Sequence, residues 1–289
     1  MTRAHAQHQS HDHHGHDHHD ADGAQAEILE LDAEALAEHT TGIIRWLPLH
    51  GSPRQIVDLA AGTGAGTFAL LDQFPEAHVT AVDTSPGHLR RLSEKACARG
   101  VDGHVRTVLA DLDEATWPDL GTPDLVWASG SVHHLADPGR ALRAVHDLLA
   151  PGGLFVVVEM AGLPRFLPTT APADRPGLED RVHAAGDRLH ARHLPHRGAD
   201  WGPMLAAAGF VVEGELHVDV NVEGAGNPVV GRYALHALQR VRGAVAAELD
   251  REDLAALDRL LDVDGPHSLP RRDDLAVRTK RSVWAARRA

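Results

Sequence analysis

Residues 57–67 read VDLAAGTGAGT, and the rest of the chain is arranged around them. Ile56 and Val57 lead into an acid, Asp58. Small residues then run through Gly66, and TFALLDQF (67–74) has the apolar spacing of a helix. A strand, a turn nearly free of side chains and a helix start bring backbone N–H groups close to a bound ligand.

Outward from this turn, strand and helix alternate. The pattern predicts strands at 55–59, 78–82, 104–110, 124–128 and 154–159, with helices at 67–74, 85–99 and 138–149. Ser85 and Pro86 form an N-cap and first-turn pair, and Pro151-Gly152-Gly153 stops the last helix. The run at 154–159 is apolar and β-branched, suited to burial on both faces. Such alternation means an α/β fold with a doubly wound, mostly parallel sheet and right-handed crossovers. Ligands in these sheets sit at the carboxyl ends of the strands, where Asp58, Asp83, Asp111, Ser129 and Glu159 all fall.

The segments around this core (51–162) are less regular. Residues 163–200 carry five prolines and a polar helix at 178–192, a long stretch of the kind that forms a lid or substrate-binding insertion. Segment 201–289 reads as the remainder of the core: a short helix at 200–210, a strand at 211–220, helices at 233–249 and 251–261, and a last strand at 282–287. That makes seven strands, with a helical insertion at about 221–276. Upstream, residues 25–50 form one or two amphipathic cap helices ending before Pro48.

Composition narrows the function. With 289 residues and 43% apolar content, one elaborated domain is expected. No window holds the roughly 18 uninterrupted apolar residues of a membrane span, and the N-terminus lacks a signal-peptide core, so a cytoplasmic protein is expected. A lone cysteine, Cys97, can form neither an internal disulfide nor a thiolate cage. The formal charge of −13 argues against nucleic-acid binding, and the basic run Arg271, Arg272, Arg278, Lys280, Arg281 is expected to be a solvated face. Residues 1–24 hold eight histidines among aspartates and too little apolar surface to order themselves. A disordered tail with adventitious divalent-metal binding is expected there, and no dedicated metal site.

Two ligands compete for the glycine turn. A dinucleotide fingerprint needs a third glycine at position 67, which is Thr67, while Gly66 comes one residue early. Asp83 would accept from a ribose diol in either case. Asp58 would repel a pyrophosphate but favour the cationic amino acid end of S-adenosylmethionine (SAM), and Asp111 offers an acceptor for an adenine amino group. Three acids suit a sulfonium and an ammonium better than two phosphates.

The motif Asp58-x-Ala60-x-Gly62-x-Gly64, the acid Asp83 after AHVTAV, Asp111-Leu112 after RTVLA, and DLVWASGSVHHLADPGRALRAVHDLLAPGGLFVVVE (124–159) together resemble class I SAM-dependent methyltransferases. The likeness is greatest to the ubiquinone/menaquinone methyltransferase type of small-molecule enzyme. It covers residues 55–160 well, and 200–220 and 277–289 loosely. The resemblance implies the Rossmann-like seven-stranded fold with helical cap insertions, and SAM as cofactor. It implies that Asp58, Ala60 and the Gly62/Gly64 backbone hold the methionine part, Asp83 with Thr84 the ribose, and Asp111 with Leu112 the adenine. Ser129 and Gly130 would line the methyl-donating end. Ala60 stands where the family often has glycine, which is tolerable if its φ is negative.

The expected activity is methyl transfer to a small organic acceptor through an O, N or C nucleophile, by in-line displacement. His133 and His134 after the fourth strand are base candidates, as is Glu159. His183, His190 and His193 lie on the insertion helix, and His183 with Trp201 are candidates for a substrate pocket, against a solvated Arg/His face. Ser129-Gly130-Ser131-Val132 is not the motif of nucleic-acid amino-methylation, one cysteine is too few for arsenite methylation, and the paired glutamates of protein arginine methylation are missing. The alternatives are a His-rich metal-binding protein on a SAM-fold scaffold and a catalytically idle SAM-binding regulator.

Overall fold

A computed structural model describes residues 13–160 and 162–289, with side chains from residue 23. Seven strands form one sheet in the order β3-β2-β1-β4-β5-β7-β6. The first five are β1 (Gln55–Leu59), β2 (His78–Asp83), β3 (Val105–Leu109), β4 (Leu125–Ser129) and β5 (Leu154–Met160), and their ladders run parallel. β6 (Phe210–Glu223) and β7 (Ala276–Arg288) add an antiparallel pair beside β5. The doubly wound, mostly parallel α/β sheet is the expected one. The order reverses between β1 and β4, so the crevice above their carboxyl ends is the switch point.

The connecting helices are α3 (Ala65–Gln73), α4 (Pro86–Ala98) and α5 (Pro138–Leu148), with α7 (Gly202–Ala207) leading into β6. Their starts are local chemistry. Ser85 Oγ accepts from His88 N at 3.2 Å, and Asp137 Oδ1 from Arg140 N at 2.9 Å, each with a proline in the first turn. β5 is buried at every position but its last, as a strand covered on both faces must be.

A second core sits above the strand tips. Upstream helix α1 (His13–Ala35) joins α6 (Leu178–His193), α8 (Pro228–Val245) and α9 (Arg251–Leu261) there. Leu31, Phe166, Val182, Tyr233, Leu238, Leu257 and Val277 belong to one buried cluster. α2 (Ala37–Trp46) packs instead under the sheet, with Ile43 and Ile44 against Ile56 and Leu70. Buried Asp253 ties the proline-rich insertion to α9, meeting Arg175 Nη2 at 2.6 Å and Arg181 Nε at 2.7 Å. Glu179 accepts from Phe166 N and Leu167 N at 2.7 and 2.9 Å, so the insertion folds back on its own helix.

Several boundaries differ from the sequence expectation. α1 begins at His13, so residues 13–24 continue this helix as backbone and are not a separate tail; residues 1–12 lie outside the described residues. Extending a helix already packed at Ala26 and Leu31 is far easier than nucleating one. β6 has 14 residues and β7 has 13, so the helical insertion shrinks to 224–275. Residues 276–281 carry no apolar alternation, but they pair with alternating β6, and Lys280 Nζ meets Asp219 Oδ1 at 3.2 Å. α7 has 6 residues rather than the eleven of 200–210. Among the described residues, no helix is long and apolar enough to cross a membrane.

Candidate functional site

A cavity of about 890 Å³ lies between the carboxyl ends of β1, β2 and β4 and the helical cap. Asp58, Ala60, Gly62, Asp83, Thr84, Asp111, Leu112, Ser129 and Gly130 line it, as do His133, His134 and His183. Residues from five successive strand ends and their loops therefore meet in one space, next to Ile28, Leu29 and Asp32 of α1.

The glycine turn owes its shape to close packing. Gly62 has φ +55°, and a side chain there would meet Leu29 Cδ1 at 3.1 Å, so α1 rests directly on the loop. Gly64 (φ +94°) does not line the cavity, contrary to expectation; a Cβ would strike Phe68 and Leu92 at 2.7 and 2.9 Å. It is glycine because the loop packs against α3 and α4. Ala60 also departs from expectation, with φ +52° in the left-handed region where an L residue is strained.

Asp58 is 3% exposed and accepts a hydrogen bond from Thr67 Oγ1 at 2.7 Å. Burial, only partly opposed by Thr67, raises its pKa from 3.8 to about 7, and the nearby Asp83 charge adds to the rise. Thr67 at the position of a missing third glycine thus serves as a hydroxyl donor. Gly66 comes early because Trp127 Nε1 and Asp58 Oδ2 would lie 2.8 and 3.0 Å from its Cβ.

Asp83 is held differently. Its Oδ2 accepts from Gly62 N at 2.8 Å; its Oδ1 accepts from Ser85 N at 2.8 Å and faces His88 Nδ1 at 3.4 Å. Burial works to raise this carboxyl, but the hydrogen bonds from His88, Ser85 and Gly62 outweigh it and hold it below the ordinary 3.8. Two adjacent acids therefore have opposite tendencies, one proton-sharing near neutrality and one firmly ionised. Asp111 is exposed, its Oδ1 accepting from Asp113 N at 2.8 Å, and Leu112 beside it is buried.

At the ends of β4 and β5, Glu159 and His133 form a buried pair. Glu159 Oε2 lies 2.6 Å from His133 Nδ1, while Oε1 accepts from Ser131 N and His133 N at 3.1 and 3.3 Å. The two side chains are 3% and 5% exposed. A carboxylate on Nδ1 assigns the proton to that nitrogen and leaves the Nε2 lone pair as acceptor. The His134 ring sits 4.1 Å from that of His133. Burial and then the His133 charge hold His134 below its ordinary 6.5.

The insertion contributes unevenly. His183 is 4% exposed, and burial, followed by the Arg165 charge, lowers it to about 4, so it is neutral. His190 also lines the cavity, whereas His193 is exposed. The solvated face expected there is thus divided. Trp201, expected in the substrate pocket, is fully buried among Leu205, Phe210 and Trp284 and does not reach the cavity. Arg281, expected on a solvated face, is 6% exposed, lines the cavity and meets Asp32 at 3.0 Å.

Sequence reasoning missed Thr67, His88, Trp127, Arg197, Arg240 and Arg281 as cavity or support residues. The departure at position 67 was a usable signal for Thr67. Nothing local marked the others, which reach the site through tertiary packing.

A family model described as a methyltransferase domain matches residues 57–155. A demethylmenaquinone methyltransferase of Thermus thermophilus is 36% identical over 196 residues, covering 60% of this chain and 84% of that protein. A trans-aconitate 2-methyltransferase of Methylobacterium radiotolerans is 38% identical over 106 residues, which are 37% of this chain and 38% of that protein. Among solved structures, a Bacillus halodurans protein assigned as a methyltransferase shares the fold with a TM-score of 0.53 at 17% identity, covering 86% of this chain and 98% of that one.

Proposed function

The chain belongs to the class I SAM-dependent methyltransferases that act on small molecules, and we propose that it works by in-line displacement with His133 as the base. The observation that carries this reading is one continuous cavity lined by the strand-tip acids and by His133, with Glu159, also expected at the site, buried behind His133 and not lining the cavity. SAM, when bound, supplies a methyl group on a sulfonium already activated toward displacement.

The residues present fit that cofactor. Asp58 and Asp83 offer negative charge toward a cationic ligand, and ionised Asp83 keeps acceptor capacity beyond its two backbone donors for a ribose diol. Trp127 Nε1 and His88 Nε2 are buried with no hydrogen-bond partner among the described residues, and both residues line the same cavity. Asp111 and Leu112 would hold the adenine, the first through its carboxylate and the second by packing. Ser129 and Gly130 would border the methyl-donating end, and they line the same cavity as His133 and His134.

The protein's task is then to position and to exclude water. Holding two reactants in line contributes roughly 7–11 kcal/mol, whereas a general base adds about 10²–10⁴-fold in rate. Helices α1, α6 and α8 line the cavity and would limit the access of water to the reacting groups. His133 Nε2 takes the acceptor's proton, and Glu159 holds the ring in the required tautomer while stabilising the imidazolium that forms. Glu159 is a positioning residue, since it acts through His133.

The test is transfer of labelled methyl from SAM to a panel of phenols, amines and quinols, alongside calorimetric binding of S-adenosylhomocysteine. Asp83→Ala should abolish measurable binding. His133→Ala should keep binding and lower turnover by about 10²-fold or more. Unaltered binding in Asp83→Ala would remove the cofactor assignment, and full turnover in His133→Ala would remove the base.

A further inference from the structure

The cavity is electrically polarised. Its acids, Asp58, Asp83, Asp111 and Asp113, lie at or just beyond the strand tips, and Asp32 is already engaged by Tyr233 Oη at 2.5 Å and Arg281 Nη2 at 3.0 Å. The cap side carries two guanidinium groups that the protein leaves largely uncompensated.

Arg197 follows α6 and lines the cavity with a side chain only 8% exposed. Its Nη1 is hydrogen-bonded to His190 Nδ1, and the carboxylate it faces, Asp187, is 3.9 Å away and 65% exposed. Its Nη2 is buried with no partner among the described residues. Arg240 on α8 is exposed, lines the same cavity, and has no carboxylate within ion-pair distance among the described residues. Both charges reach His134 and His190, adding to the burial that holds each imidazole below its ordinary range. Neutral His183 supplies a further buried Nε2 on this side, without a hydrogen bond among the described residues and 3.8 Å from Glu179 Oε1.

Taking the Arg197 guanidinium out of water without a close counter-charge is unfavourable, and a bidentate oxyanion is the partner that its planar fork matches, with exposed Arg240 as a second cation on the same cavity. Around the two arginines the wall is apolar, through Leu189, Leu194, Leu238 and Val241. We propose that the methyl acceptor is an amphiphilic oxyanion whose carboxylate or phosphate group is held by Arg197 and Arg240, its apolar body lying along Leu189, Leu238 and Val241. This names the acceptor class for the methyltransferase reading above and rests on it. The cationic donor would meet the acids and the anionic acceptor the arginines, in the same cavity that His133 lines.

Calorimetry on the full chain saturated with S-adenosylhomocysteine, titrated with octanoate, octyl phosphate and 1-octanol, tests it. At least one anion should bind saturably and at least tenfold tighter than the alcohol, and which one does so identifies the head group. Arg197→Gln and Arg240→Gln should each lose at least tenfold for that anion, the lysine variants should recover part, and octanol binding should not change. A merely structural role for Arg197 would instead lower the melting temperature and weaken all three probes alike. No saturable anion binding, no preference over octanol, or unchanged anion affinity in both glutamine variants overturns the proposal. S-adenosylhomocysteine affinity is read separately. If it is absent in the parent protein, the cofactor reading fails, while the anion titrations repeated on the ligand-free chain still decide the role of the arginines.

Discussion

Asp58→Asn separates two consequences of placing a carboxyl where water cannot reach it. In the ligand-free protein this group, with a pKa near 7, is only partly ionised at neutral pH. A cationic ligand that needs the ionised form has its affinity reduced by the fraction present. For a pKa of about 7 that fraction is about three-quarters at pH 7.5 and about one-eleventh at pH 6, so S-adenosylhomocysteine should bind about eightfold more weakly at the lower pH. Binding should also release close to one proton near pH 6, measurable by calorimetry in buffers of different ionisation enthalpy. Asp58→Asn should bind more weakly at pH 7.5 and lose most of this dependence.

Stability should move the other way. The folded-state pKa of Asp58 is raised, so its contribution is fully present below 3.8 and is lost as pH rises through about 7. The full swing has an upper bound of about 4 kcal/mol at about 1.4 kcal/mol per pKa unit. The ligand-free Asn variant should therefore melt higher than the parent near pH 8 and show no such advantage near pH 5. A parent affinity that stays flat from pH 7.5 to 6, with an Asn variant that melts lower at both pH values, would refute the reasoning about this carboxyl.

Other variants probe its surroundings. Ala60→Gly relieves a left-handed alanine costing roughly 1–2 kcal/mol, offset by roughly 0.5–1 kcal/mol of added unfolded-state entropy, so denaturant melts should show unchanged or slightly higher stability. Gly66→Ala forces a methyl against the buried Trp127 ring and should cost roughly 1–3 kcal/mol in the same melts, despite alanine's better helix propensity. Glu159→Gln presents an amide to His133 Nδ1 and favours the opposite tautomer; kcat should fall by about 10²-fold or more while S-adenosylhomocysteine affinity holds within a fewfold. Asp253→Ala leaves Arg175 and Arg181 without their buried partner and should cost about 2 kcal/mol, discounted because both arginines are partly exposed. The Arg181 hydrogen bond is first among the causes holding Asp253 below 3.8, so the gap between variant and parent should close as pH falls below that value.

The core was legible because its signals are local. Strand β1 and helix α9 have the boundaries that periodicity and capping predict, and Asp58, Asp83 and Asp111 lie at strand tips because side-chain alternation and turn chemistry put them there. Parallel strands buried on both faces and right-handed crossovers leave few arrangements for such a chain. The cap was not legible in the same way. Residues 276–281 become strand through pairing with β6, and Trp201 goes to the core because Phe210 and Trp284 close around it. Ala60 takes a positive φ that its residue type does not announce. Arg197, Arg240 and Arg281 are ordinary surface residues by composition, and they reach the cavity from the segment after α6, from α8 and from β7 of the sheet. The acidic strand-tip side of the cavity is thus written in short-range spacing, while its arginine-bearing cap side depends on contacts between segments distant in the chain, which no single stretch of sequence encodes.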